Sequence, residues 1–159
     1  MPCPTVRISL SSTFAAVLAV LCASAASAQS EGGLYTAGAG FSFQVAAERA
    51  MSQNAGGRRF FLLSLPPETA ALSAAAPAAL ATLRKRVVAA NGVLLVCQRD
   101  IDNGRIRAAG LAPGVVAVRG WPRPGSNELP DGQRYFTHEN PANLPAANEA
   151  LRQLRSTCA

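Results

Sequence analysis

The sequence predicts a three-layer α/β fold, in which a mostly parallel sheet has helices on both faces. Three runs, at 59–65, 93–97 and 115–119, are almost continuously apolar rather than alternating. Such runs are typical of strands that are buried on both faces. Segments with helical apolar spacing stand between them. The element order is therefore β-α-β-α-β, which is typical of a parallel sheet.

The first 28 residues are predicted to be a cleaved secretory signal. A short polar segment with Arg7 as its single charge precedes an apolar run at 14–22. That run is shorter than the roughly 20 residues that a membrane span needs. An A-x-A cleavage motif ends at Ala28, with cleavage after Ala25 or an uncleaved anchor helix as alternatives. We expect one α/β domain at 29–159, periplasmic or secreted, without a stable membrane anchor.

The charge pattern does not indicate a nucleic-acid partner. Without Arg7 the formal net charge falls from +6 to +5. The cations are scattered, with short runs only at 58–59 and 84–86, and they do not alternate with aromatic residues. Proteins that bind nucleic acids usually concentrate their cations on one face.

The first elements of the predicted domain are a short strand and a helix. A Gly-rich start leaves room for a strand at 34–37, although its signal is weak. Ser42 is a suitable N-cap for a helix at 43–54, which Gly56-Gly57 ends. The apolar strand at 59–65 follows, and Pro66-Pro67 breaks it.

The central elements flank the middle strand. The stretch 68–76 is Ala-rich and ambiguous. Pro77 suits a helix start, and Asn91-Gly92 ends that helix before the strand at 93–97. A short helix at 100–109, interrupted or capped near Asn103-Gly104, leads to the strand at 115–119.

The last part of the chain is predicted as a loop at 120–132, a short edge strand at 133–137 and a final helix. The apolar stripe of that helix comprises Leu144, Ala147, Leu151, Leu154 and Cys158. This spacing places Cys158 on the side that faces the sheet.

Cys97 stands where a parallel sheet usually carries its chemistry, at the carboxyl end of a buried strand. A nearby helix N-terminus and Arg99, Arg105 or Arg119 would favour its thiolate, whereas Asp100 and Asp102 would oppose it. Arg119 could also bind an anion, and the neighbouring Trp121 could form the wall of a pocket. A reactive thiol is therefore one interpretation, and a small core residue is another.

A disulfide is the third interpretation of Cys97 and the one that we favour. Loss of the signal would leave Cys97 and Cys158 as a pair in an oxidising compartment. Their bond would close a loop of about 60 residues, worth roughly 3–4 kcal/mol in the chain-entropy model. Two free thiols or a redox switch stay open as alternatives.

Other catalytic signatures are weak. His138, the single histidine, lies in a polar loop beside Glu139, where it is either a base or a solvated surface residue. One histidine and two distant cysteines lack the spacing of a metal site. The sequence has no phosphate-binding loop and no nucleophile elbow, so we predict no cofactor.

Two stretches, RVVAANGVLLVCQRDI and LAPGVVAVRGW, resemble the DsrE/DsrF-like family of sulfur-relay proteins and its exported relatives. The resemblance covers 86–121 and implies a flavodoxin-like, often oligomeric fold. In some members of that family the cysteine equivalent to Cys97 carries a persulfide. If this chain is active in the same way, we expect Arg99 or Arg119 to stabilise the anion. The weak first strand and the helix ending in Cys158 depart from the family pattern.

Two functions follow as expectations. In the first, an exported DsrE-like domain handles sulfur through Cys97 and exchanges it with a small sulfur-containing or thiol partner. In the second, the chain is a non-enzymatic periplasmic binding or assembly module with a structural Cys97–Cys158 disulfide. Its partner would be an envelope protein or a second copy of the chain, with Trp121 and the Pro-rich loop as contact surface. A thiol–disulfide oxidoreductase is less well supported without a CxxC motif.

Overall fold

The structure is a computed structural model that describes residues 31–121, Phe136 and 139–159. The predicted signal peptide and His138 lie outside the described residues. So does most of the predicted strand at 133–137. Its one described residue, Phe136, is helical rather than extended.

The described core is a four-stranded sheet in which every neighbouring pair is parallel. Its strands, in spatial as well as chain order, are β1 (Leu34–Ala37), β2 (Phe60–Ser64), β3 (Gly92–Cys97) and β4 (Val115–Val118). All five residues of β2 are buried, as its continuous apolar run predicts. The predicted three-layer α/β architecture is confirmed.

One face of the sheet, which we call the helical face, is covered by three elements. They are α1 (Phe43–Gln53), a 3₁₀ helix (Glu68–Leu72) and α2 (Ala78–Ala89). The Ser42 hydroxyl caps α1 by accepting a hydrogen bond from the Val45 amide, as its position predicts. The alternate strand residues Phe60, Leu62, Leu94 and Val96 pack here with the alanines of α1.

The opposite face, which we call the disulfide face, is covered by α4 (Asn148–Thr157). Leu154 and Cys158 from this end of the chain pack with residues of β2, β3 and β4. The Glu31 carboxylate accepts hydrogen bonds from the Ala146 and Ala147 amides, just before α4 begins. A carboxylate at this position stabilises a helix start.

Two local predictions were wrong in part. The helix after β3, α3, spans Gln98–Asp102 rather than 100–109 and begins directly after Cys97, its extended N-cap. The predicted cap near Asn103-Gly104 is confirmed, because Asn103 is the C-cap and Gly104 has a φ of +71° that glycine adopts readily. In α4, Ala147 is exposed although the spacing placed it on the core stripe. It is the N-cap residue, where the helical periodicity has not yet begun.

Candidate functional site

The carboxyl end of β3 is closed by the last residues of the chain. Cys97 ends the strand, pairs with Val118 of β4, and forms a disulfide with Cys158 at the end of α4. The two Cα atoms are 5.1 Å apart, within the range that disulfides require. The favoured pairing is therefore present in the structure.

Both sulfur-bearing residues belong to the hydrophobic core of the disulfide face. Cys97 is 0% exposed and Cys158 is 3% exposed. Apolar neighbours from β2, β3, β4 and α4 surround them, namely Phe61, Leu63, Leu95, Val118 and Leu154. In this state Cys97 is bonded and has no thiolate, and its surface is not exposed to solvent.

Gly120 brings the chain after β4 against the same disulfide. A Cβ at this position would overlap the main chain of Cys158 and Ala159. The next amide, that of Trp121, donates a hydrogen bond of 3.2 Å to the Arg155 carbonyl oxygen. Glycine is thus required here by the close approach of two backbones.

A buried ion pair that the sequence did not reveal lies beside the disulfide. Nη2 of Arg155 is 2.6 Å from Oε2 of Glu139, and the two side chains are only 5% and 10% exposed. The Arg155 guanidinium also donates to the Arg119 carbonyl oxygen at 2.7 Å. It lies over the Phe136 ring, 3.5 Å from the centroid. The one feature of the sequence that could have indicated this burial is that Arg155 follows Leu154, which lies on the core side of α4.

The predicted anion-binding arginines have other contacts. The exposed Arg99 side chain donates a hydrogen bond to the main-chain oxygen of Ala159. The amide of Arg119 donates to Glu139 Oε1 at 2.8 Å, while its side chain is exposed. The described contacts of both residues therefore hold the end of the chain against β3 and β4. None of them is with a cysteine sulfur.

A buried carboxylate, Asp100, lies in α3 directly beyond Cys97. It is 2% exposed, and burial raises its pKa, against the opposing influence of Arg99 and Arg105. Its Oδ1 is 3.8 Å from Arg105 Nε, and its Oδ2 has no hydrogen-bond partner among the described residues. Burial thus makes the Asp100 carboxyl easier to protonate than an exposed one.

The strand order also bears on the predicted site. The four described strands follow one another in sequence, so their order does not reverse. Ligand crevices of open parallel sheets form where the order does reverse. At the end of β2, the buried Ser64 hydroxyl has no hydrogen-bond partner within the described part of the chain. Glu68 nearby accepts a hydrogen bond of 2.7 Å from the Phe43 amide. Among the described residues, no group of three or more potential metal ligands converges.

Trp121 does form the wall of a concave surface. Its side chain is 39% exposed and meets the Phe136 ring edge-on, with centroids 6.3 Å apart. The cavity of about 420 Å³ beside it is also lined by Leu151, Arg152 and Arg155 of α4. An exposed tryptophan beside arginines is typical of a protein contact surface.

Comparisons with protein-family models, curated proteins and solved structures found no match to this chain. The resemblance of 86–121 to the DsrE/DsrF-like family therefore stays a prediction. Within 31–121 and 139–159, no helix is both long and apolar enough to cross a membrane.

Proposed function

We propose that the chain is an exported, non-enzymatic binding or assembly domain whose Cys97–Cys158 disulfide is structural. The burial of both cysteines in the core of the disulfide face carries this proposal. Disulfides that take part in exchange need a sulfur that an attacking thiolate can reach. Here the surrounding side chains would have to separate before any attack.

The remaining polar groups near the disulfide also support a structural role. Arg155, Glu139 and the main chain of Arg119 bond to one another. These contacts attach α4 to the end of β4 and leave their charges satisfied. For the partner, an envelope protein or a second copy of the chain, the surface around Trp121 is the contact that we propose.

The experiment is intact-mass analysis of protein secreted to the periplasm. We expect a mass about 2 Da below that of the reduced chain, which reduction reverses. Iodoacetamide should label neither cysteine in the folded protein, and neither in protein that is denatured without reductant. It should label both cysteines in protein that is denatured and reduced. The N-terminal residue should be Gln29, which tests export in the same sample.

Sulfur relay through Cys97 is the second candidate, because Cys97 caps α3 at the carboxyl end of β3. The reduced thiolate would attack the outer sulfur of a persulfide donor, forming Cys97 persulfide and releasing the donor thiolate. A gain of about 32 Da on reduced protein treated with such a donor indicates this reaction. If Cys158→Ser takes up that sulfur at neutral pH and Cys97→Ser does not, the structural proposal is wrong.

A further inference from the structure

We propose that a groove between α2 and the turn leading into β4 binds a medium-chain carboxylate, with its head group at Arg84. This inference rests on the proposed binding function and names a ligand class for it. It uses the helical face, on the opposite side of the sheet from the disulfide.

The groove has a volume of about 450 Å³, within the usual range for small-molecule sites. Six of its eight lining residues are apolar: Ala81, Val88, Ala89, Leu94, Ala112 and Pro113. Val88 is 52% exposed, and it is one of few large apolar side chains that the described residues present to solvent. A hydrocarbon chain would cover this surface.

The two remaining lining residues are cations, Arg84 and Lys85. Arg84 is only 7% exposed, and its guanidinium donates a hydrogen bond to the Ala71 carbonyl oxygen. No carboxylate of the described residues lies within ion-pair distance of it. Burial lowers the pKa of this guanidinium, which nevertheless stays charged at physiological pH.

An unpaired, desolvated guanidinium beside an apolar surface determines the chemistry of the ligand. Buried charges in proteins are normally paired, because desolvation alone is costly. A carboxylate matches the planar guanidinium, and the adjoining apolar wall favours an alkyl tail on the same molecule. Both features together select an aliphatic carboxylate over a small inorganic anion or a neutral alcohol.

The test is a titration of the ¹⁵N-labelled, disulfide-bonded protein with octanoate, followed by NMR. We expect saturable shifts of the Arg84 Nε–H resonance and of α2 amides. Octanol, acetate and inorganic phosphate should each bind at least tenfold more weakly. From hexanoate to octanoate, affinity should rise about two- to fourfold per methylene, depending on how far each is buried.

Position 88 offers a pair of variants that should leave the fold intact, because Val88 is exposed on the helix surface. In Val88→Glu, the new carboxylate stands four residues after Arg84 and can pair with it. We expect octanoate affinity to fall more than tenfold. The neutral Val88→Gln removes an apolar contact but adds no charge, so its loss of affinity should be several-fold smaller than that of Val88→Glu.

Arg84→Met removes the cation but keeps much of the apolar stem, and should also reduce affinity more than tenfold. The matched control is Arg86→Met, which removes an exposed charge from the same helix outside the groove and should change affinity less than twofold. If Arg84→Met fails to fold, the Val88 pair still decides.

Several results would overturn the inference. They are the absence of saturable shifts, equal binding of octanol or phosphate, equal losses in Arg84→Met and Arg86→Met, and retained binding by Val88→Glu. If one of these results is found while the disulfide stays unreactive, the carboxylate ligand is wrong but the structural role of the disulfide is not contradicted. Sulfur uptake by Cys97 would reject that proposal whatever octanoate does.

Discussion

The cores on the two faces of the sheet differ in size and in the interactions that stabilise them. On the helical face, fourteen buried residues of the described chain form the core, and α1, α2 and the 3₁₀ helix cover it. On the disulfide face, seven buried residues of the described chain do so beneath α4, and two of the seven are the bonded cysteines. A buried ion pair, Arg155–Glu139, lies beside them.

This difference shows how a small core can be supplemented. Stabilisation by burial grows with the apolar area removed from water, so the disulfide face gains less from it than the helical face. A covalent link and a paired charge attach α4 there instead. We therefore expect the disulfide face to depend on a few specific bonds, and the helical face on distributed packing.

The largest effect should come from the disulfide. The bond joins two residues with a sequence separation of 61. In the chain-entropy model, closing a loop of that length adds about 4 kcal/mol to the free energy of unfolding. Cys97→Ala, Cys158→Ala and the double variant should each lose about that amount in urea denaturation, because all three remove the same link. A loss below about 1 kcal/mol would mean that packing alone holds α4 in place.

The ion pair should rank second. Glu139→Gln leaves the Arg155 guanidinium buried without a counter-charge, and we expect a loss of about 3 kcal/mol. The matched control is Glu149→Gln, which breaks the Glu149–Arg152 pair, whose side chains are 81% and 66% exposed. That surface pair should contribute under about 1 kcal/mol. Equal losses in the two variants would contradict the importance of burial.

Two glycines allow the tightness of packing on the two faces to be compared by Gly→Ala substitution. Gly120→Ala would collide with main-chain atoms of Cys158 and Ala159, whereas a Cβ at Gly92 meets Phe60 and Val87 side-chain atoms at 2.6 Å. Overpacking typically costs about 1–3 kcal/mol, and we expect Gly120→Ala to lie at the upper end because backbone yields less than side chains. In a Cys97→Ala/Cys158→Ala background the cost at Gly120 should fall, since the chain end can move away. An unchanged cost would show that the disulfide does not hold it there.

The smallest effect should be a pH dependence at Asp100. Burial raises its pKa above the ordinary value of 3.8, so the folded state favours the protonated carboxyl. Its contribution to stability is complete below that ordinary value and is lost as pH rises through the raised pKa. Asp100→Asn should therefore raise the Tm more at neutral pH than at acidic pH. The exposed Asp102→Asn on the same helix is the control, and a gain independent of pH would contradict this mechanism.

The candidate site was only partly predictable from sequence. The position of Cys97 at the end of a buried strand followed from the four apolar residues before it. Its pairing with Cys158 followed from the two cysteines that loss of the predicted signal would leave, together with the helical spacing that places Cys158 towards the sheet. The burial of Arg155, Glu139 and Arg84 did not follow, because charged residues are usually exposed. Their burial depends on neighbours from distant parts of the chain.

By itself, the sequence determined the α/β class, the buried strands, the N-cap at Ser42 and the helix start at Pro77, because each depends on residues close together in the chain. The tertiary structure alone decided the sequential strand order, the placement of α4 on the disulfide face and the contact at Gly120. These features arise where separate segments meet. Which segments meet is decided by competing apolar surfaces and charge pairings across the whole molecule.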